Sequence, residues 1–422
     1  MTQHLRQHAN QPLRKRVVVT GMSGISPIGQ DWGTVQSNLH NGTSGVQYIK
    51  EWDEFDGLYA KLGAPVKNFS VPSHYTRKKI RSMGRVALMA VRASELALEH
   101  AGLLDDAVIT SGRTGVAYGS SVGSTLATAE FSKMLYSKRL EGFNGNTYLK
   151  MMGHTTVVNI GLFFKINGRI IPAVSACTSG SQAIGFACEA IRYGQQDVMI
   201  AGGAEELCPT EVAIFDTLYA TSTNNDHPQA TPRPYDKDRD GLVIGEGACS
   251  FILEELEHAK ARGATIHAEI LGFATNSDGS HATQPTQSTM QHAMQLALDD
   301  AQIDSSDIGY ISAHATATET GDIAESQATY NLFGSNTPIS SLKSYTGHTL
   351  GACGALESWV AIQMMNTGEF HPTLNLKNVD PRCADLDYIV NDMRNIDCDI
   401  VMNNNFAFGG INTSLIYQQW ES

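Results

Sequence analysis

No stretch of the 422 residues approaches the roughly 20 consecutive apolar side chains that a helix needs to cross a bilayer. The polar, basic opening Met1 to Arg16 is not followed by the apolar core of a secretory signal. These absences predict a cytoplasmic protein with no membrane partner. The seven cysteines, at 177, 188, 208, 249, 353, 383 and 398, are odd in number and form no C-x-x-C pair, so neither a disulfide framework nor a zinc knuckle is expected. Positive charge is in deficit. The 30 Lys and Arg against 43 Asp and Glu leave a formal net charge of −13, which sets long-range electrostatics against nucleic acid. Charged residues make up only 17% of the chain and hydrophobic ones 42%, a composition that buries a large core and argues against disorder.

What is present reads as alternating strands and helices. Lys15 to Thr20 (KRVVVT) is a β-branched run expected to be a strand that turns at the glycines of GMSGISPIG, whose spacing is not the G-x-G-x-x-G of a dinucleotide site. A helix is expected from Met83 to Ala101, strands over 113–119, 170–175, 197–201 and 248–256, and a helix over 179–193. A second series follows: strands 266–273 and 308–312, helices 290–301, 321–333 and 354–366, and a strand over 399–402. This order predicts an α/β fold of two similar halves, 15–258 and 259–422, behind a flexible N-terminal tail 1–14. The segment Asp236 to Gly241 (DKDRDG) begins like a calcium loop but has Gly247 where the last acidic ligand is required, so a structural turn is expected there.

Four segments carry chemistry. In Val174 to Gly180 (VSACTSG), Cys177 stands between a strand and a helix N-terminus, whose unpaired N–H groups are expected to favour its thiolate. Ser312 to Asp322 (SAHATATETGD) places His314 at a strand end. Ser341 to Glu357 (SLKSYTGHTLGACGALE) places Lys343 and His348 in a Gly-rich loop before a helix. Asn403 to Ser414 (NNNFAFGGINTS) follows a strand with a turn at Gly409 and Gly410 whose backbone can approach a ligand closely.

The order Cys, His, Lys, His, Phe-Gly-Gly resembles the β-ketoacyl-acyl carrier protein synthases of the elongating type I and II branch, over about residues 15 to 418. The resemblance implies a thiolase-like, five-layered αβαβα fold and a homodimer. It implies that Cys177 takes an acyl group from an acyl carrier protein thioester, and that His314 and His348 donate hydrogen bonds through Nε2 while a malonyl thioester loses carbon dioxide. It implies an oxyanion hole formed by the backbone N–H groups of Cys177 and Phe408, with Phe408 also a gate. It implies that Lys343 orients the site and that Glu325 and Glu357 hold that network. Thr316 and Thr318 match pantetheine contacts, and Val122, Phe215 and Phe406 match the acyl pocket. The cluster Arg77, Lys78, Lys79 and Arg81, with Arg85, is expected to receive the acidic carrier protein. No bound cofactor or metal is implied, because the substrates arrive on the carrier's phosphopantetheine arm.

The sequence departs from the usual family pattern at Ala315 and Ala317, where Gly follows the first histidine, and at Ala407, Asn405 and Ile411 in the last loop. General fatty acid elongation is the expected role. A ketosynthase of a specialised pathway, making aryl polyenes or polyketides and paired with a chain-length-factor subunit, is the alternative. A thiolase would use a second active cysteine and coenzyme A, which the two-histidine set argues against. A chain-length factor would normally have lost the nucleophile, and a zinc protein would need the side chains assigned to condensation.

Overall fold

The computed structural model describes residues 14–421. The expected tail 1–14 lies outside the described residues except for Arg14, which pairs with Asp300 at 2.5 Å. The first series of elements is β1 (Val17–Ile25), α1 (Arg85–His100), β2 (Thr114–Gly119), β3 (Ile170–Ala173), α2 (Ser179–Arg192), β4 (Val198–Glu205) and β5 (Gly247–Glu255). The second is β6 (Ala268–Ser277), α3 (Gln287–Ala301), β7 (Tyr310–Ser312), α4 (Glu319–Phe333), β8 (Pro338–Ser340), α5 (Cys353–Thr367), β9 (Asp387–Tyr388), β10 (Ile400–Ala407) and β11 (Ile411–Gln419).

The strands lie in the order β9-β8-β7-β10-β11-β6-β1-β5-β4-β2-β3. Numbered within its own half, each series has the order 3-2-4-5-1, with β9 added outside the second. The directions repeat as well. β3, β2 and β4 run parallel, as do β8, β7 and β10, while the last two strands of each half run antiparallel. The halves join edge to edge through Val18 and Val19 of β1 opposite Glu269 and Ala268 of β6.

The duplication extends to single residues. The register of β1 against β5 slips between Val19 and Gly21, and that of β11 against β6 slips so that Gly272 and Ile270 take successive partners. A Cβ on Gly21 would stand 2.4 Å from the Ala97 carbonyl of α1, and one on Gly272 2.4 Å from the Ala297 carbonyl of α3. In both halves a glycine beside a bulge lets the first helix press onto the first strand. The same demand explains why β1 runs on to Ile25 through glycines that the sequence reading assigned to a turn. A Cβ on Gly24 would fall 2.1 Å from the Trp359 ring, and the turn itself is Ser26 to Gly29.

Alternation along the strands sorts side chains into layers. Met199 and Ala201 of β4, with Phe251 and Leu253 of β5, enter the central core, where α2 and α5 pack between the two halves of the sheet. Val198, Ile200 and Ile252 face outward onto α1 and the helix Thr155–Phe164. A third core joins Met290 and Met294 of α3 to Ile311 of β7 and Met402 of β10. Helix, sheet, helix pair, sheet and helix therefore make five layers, and strands buried on both faces are near-continuous apolar runs. The segment 236–241 binds neighbouring backbone: Asp236 accepts N–H groups of Lys377, Asn378 and Asp238, and Arg239 pairs with Asp380 at 2.7 Å.

Candidate active site

The two halves meet in a pair of equivalent turns. Before α2 the chain makes a short 3-10 turn, Ala176–Thr178, and before α5 another, Leu350–Ala352. Ala176 at φ 51° and Leu350 at φ 45° both hold a left-handed conformation that residues with side chains adopt at some strain. The turn in the first half carries Cys177 at its centre, and its counterpart carries Gly351. The helix starts are pressed together. A Cβ on Gly180 would lie 2.9 Å from the Gly351 carbonyl, and one on Gly354 2.9 Å from the Ser181 nitrogen. The small residues of ACTSGS and GACGA are what this approach requires.

Around Cys177 the structure gathers groups far apart in the chain. His348 Nε2 lies 2.9 Å from Cys177 Sγ. The His314 and His348 rings stand at 87° with centroids 5.2 Å apart, and His314 also meets the Phe406 ring at 6.1 Å. The Cys177 sulfur and one ring nitrogen of each histidine lie within 4.8 Å of one another, a spacing that could also hold a metal ion. All three side chains line a cavity of about 230 Å³ whose wall also includes Phe215, Phe406 and Phe408. Thr316 and Thr318 line it too, their hydroxyls 3.0 Å apart.

Burial pushes the Cys177 thiol up to about 12, against the pull of the Lys343 ammonium and of the backbone N–H groups of Phe408 and Cys177. The helix terminus was expected to favour thiolate, but desolvation wins, and Cys177 rests as a thiol. The two N–H groups that act on the sulfur are the pair expected in an oxyanion hole. Burial, and then the Lys343 charge, hold both histidines well below their ordinary range, so they are neutral imidazoles. Neither Nδ1 has a partner among the described residues to fix its tautomer.

Lys343 is 1% exposed and ion-pairs with Glu357 Oε1 at 2.5 Å. Burial alone would lower the Lys343 pKa, yet the Glu357 carboxylate raises it, so the site keeps a fixed positive charge behind the histidines. Asn405 Nδ2 donates to Glu357 Oε2 at 2.7 Å and holds the other end of that carboxylate. Glu325, pushed up to about 8 by burial, accepts the N–H groups of His314 and Ala315 at 2.7 Å each and so fixes the loop that carries His314.

Ala317, at the second position where Gly is usual, has φ 65° and carries the strain of a left-handed alanine. Ala315 and Ala407 add methyl groups to the cavity wall. Val122 is half-buried and does not line the cavity; its loop is held through Ser120 and Ser121 by Glu205. Arg77, Lys78, Lys79 and Arg81 are exposed around the short helix Arg77–Ile80. Arg85 does not join them, because its guanidinium makes a two-pronged contact with Glu246 at 2.7 and 2.8 Å.

Two neighbours of Cys177 escaped sequence reasoning. Cys353 donates its thiol to the Cys177 carbonyl at 3.2 Å, and Glu205 accepts the Gly351 N–H at 3.0 Å. Glu205 ends a strand in an unbroken run of small residues, which offers no signal of a role. Asn405 stood out as a departure, although nothing in the sequence pairs it with Glu357.

The chain resembles known proteins along nearly its whole length. Residues 14–259 match the beta-ketoacyl synthase N-terminal domain family and residues 267–377 the C-terminal domain family. It is 37% identical over 417 residues to the 3-oxoacyl-(acyl-carrier-protein) synthase 2 of Staphylococcus aureus (strain COL), covering 97% of this chain and 99% of that protein. A crystal structure of a β-ketoacyl synthase from Burkholderia phymatum STM815 superposes with a TM-score of 0.95 at 58% identity, spanning 96% of this chain and 100% of that one. The ishigamide ketosynthase/chain length factor superposes with a TM-score of 0.88 at 31% identity, over 97% of this chain and 100% of that one. With its thiolase-like fold, the chain belongs to the β-ketoacyl synthase family.

Proposed function

We propose that the protein is a β-ketoacyl-acyl carrier protein synthase that extends an acyl chain held on Cys177 by two carbons taken from malonyl carrier protein, in fatty acid elongation. The observation that carries this reading is one cavity wall on which a thiol and two neutral histidines lie within 4.8 Å of one another. In the first half-reaction the Cys177 sulfur attacks the acyl thioester while its proton passes to His348 Nε2 and on to the departing pantetheine sulfur. The N–H groups of Cys177 and Phe408 stabilise the oxyanion, each contributing on the order of 3 kcal/mol. In the second, malonyl carrier protein loses carbon dioxide. His314 and His348, now donating from Nε2, hold the enolate oxygen, and its carbon attacks the acyl group. The Cys177 sulfur leaves, takes up a proton and is a thiol again. Unfixed tautomers let His348 accept in one step and donate in the next. No cofactor enters this chemistry.

Thr316 and Thr318 would meet the pantetheine arm, and Arg77, Lys78, Lys79 and Arg81 the acidic carrier, in the cytoplasm. We take the working units to be 15–258 and 259–422. Turnover tests the reading: purified protein given acyl and malonyl carrier proteins should release carbon dioxide and a β-ketoacyl carrier protein two carbons longer. No product with any primer would sink it.

Depressed histidine pKa values give a prediction with a defined sign. The neutral, donating form persists below 6.5, so malonyl decarboxylation should stay level as pH falls from about 8 to about 6 and decline only further down. A pH profile of carbon dioxide release that halves near 6.5 would contradict the buried, Lys343-facing environment.

A homodimer is supported by β3, which ends the sheet with an edge unpaired among the described residues and has exposed apolar side chains on and beside it: Ile170 at 41%, Val174 at 51% and Leu162 at 63%. Light scattering on the chain alone should give about twice 45.6 kDa, and Ile170→Asp should shift the protein toward monomer. A wild-type monomer would point instead to a different partner subunit.

A further inference from the structure

Helix Pro209–Asp216 puts Glu211 and Phe215 one turn apart on the same face. Phe215 lines the Cys177 cavity and its ring meets Phe408 at 4.9 Å. Val212, next to Glu211, packs in one apolar cluster with Cys177, Leu350 and Cys353. Glu211 itself is 1% exposed, and neither of its carboxyl oxygens has a partner among the described residues.

Its neighbours are two further buried acids, and both of those are satisfied. Glu205 accepts from Ser120, Ser121 and the Gly351 N–H, and Glu206 from Thr125 and the Val86 N–H. Glu205 acts electrostatically on Glu211 and on Cys177 alike, which places all three in one region of the molecule. Burial first, and then Glu205, push the Glu211 carboxyl well above its usual range, so it is an O–H that donates as well as accepts. Neither half-reaction uses it, and buried polar groups are nearly always met by a partner.

We propose that Glu211 is a specificity-determining residue that hydrogen-bonds an oxygen substituent, hydroxyl or oxo, on the distal part of the acyl chain attached to Cys177. The enzyme then favours oxygenated primers over plain saturated chains of equal length. The inference rests on the ketosynthase reading and names the substrate class of the same site. Glu211 does not itself line the cavity, but Phe215, one helical turn away, does. On this proposal an acyl chain that displaces the Phe215 ring reaches the Glu211 carboxyl, and a chain without an oxygen there leaves it buried and unpaired. Sites built around a buried polar group reject analogues that cannot answer it.

The test is competition on the full-length protein. Carrier protein loaded with octanoyl, or with octanoyl bearing a hydroxyl or oxo group on one of its outer carbons, is offered in equal amounts, and the acyl adducts are compared by intact mass. Wild type should favour at least one oxygenated primer by about tenfold or more. Glu211→Gln, which still donates and accepts, should keep that preference, and Glu211→Leu should lose or reverse it. Octanoyl matching every oxygenated primer in wild type, or a preference unchanged in Glu211→Leu, would overturn the proposal. Should the leucine variant not fold, the wild-type ranking still decides. Absence of any adduct in wild type would instead overturn the ketosynthase reading beneath it.

Discussion

His314→Ala is expected to slow malonyl decarboxylation by on the order of 10²- to 10³-fold, the usual effect of removing one donor to a developing oxyanion, while the acyl adduct on Cys177 still forms. The division follows from distance and partner. His348 Nε2 touches the sulfur at 2.9 Å, whereas His314 meets His348 and Phe406 and reaches the cavity from β7 on a loop pinned by Glu325. Single-turnover measurement separates the two half-reactions: adduct mass reports transfer, and carbon dioxide release reports decarboxylation. Equal losses in both would mean that His314 only supports the fold of the site. Glu325→Gln sharpens the comparison, because it retains an acceptor for one of the two N–H groups.

Lys343→Ala carries the other large effect, on stability as much as on rate. Lys343 and Glu357 are 1% and 2% exposed, so removing the cation leaves a buried carboxylate that, among the described residues, Asn405 alone answers. Breaking such a pair destabilises by about 3–5 kcal/mol, which urea unfolding at neutral pH would read as a lower midpoint at unchanged slope. Lys343→Met combined with Glu357→Leu should recover much of that loss, since no charge is then stranded. It should not recover activity, because the ammonium that acts on Cys177, His314 and His348 is gone. A single variant as stable as wild type would show that the pair is not dry.

The order of elements and the grouping of the reactive side chains were readable in the sequence, because strand and helix periods are local and the four motifs carry their own spacing. What was not readable came from groups brought in over long distances. The glycines at 21 and 24 looked like a turn because nothing near them announces α1 or Trp359. Arg85 looked like part of a basic patch because Glu246, which occupies it, is 161 residues away. Cys177 was expected to ionise from its place at a helix start, yet its pKa is set by the burial that the whole fold imposes. The internal repeat was visible only as element order. Its proof is geometric: matching strand orders, matching bulges, and the paired turns at Ala176 and Leu350.

Those paired turns also frame the choice between thiols. Cys177 and Cys353 are both buried beside the cavity turn, and burial raises both, but only Cys177 has His348 against its sulfur and two backbone N–H groups that act on it. The measurement to make is peptide mapping of the acyl adduct after wild-type protein has been loaded with acyl carrier protein and before malonyl carrier protein is added. The account predicts the acyl mass on the peptide containing Cys177 alone, discharged when malonyl carrier protein follows. An adduct on Cys353 or on any of the other five cysteines, or one on Cys177 that malonyl carrier protein does not discharge, would contradict it.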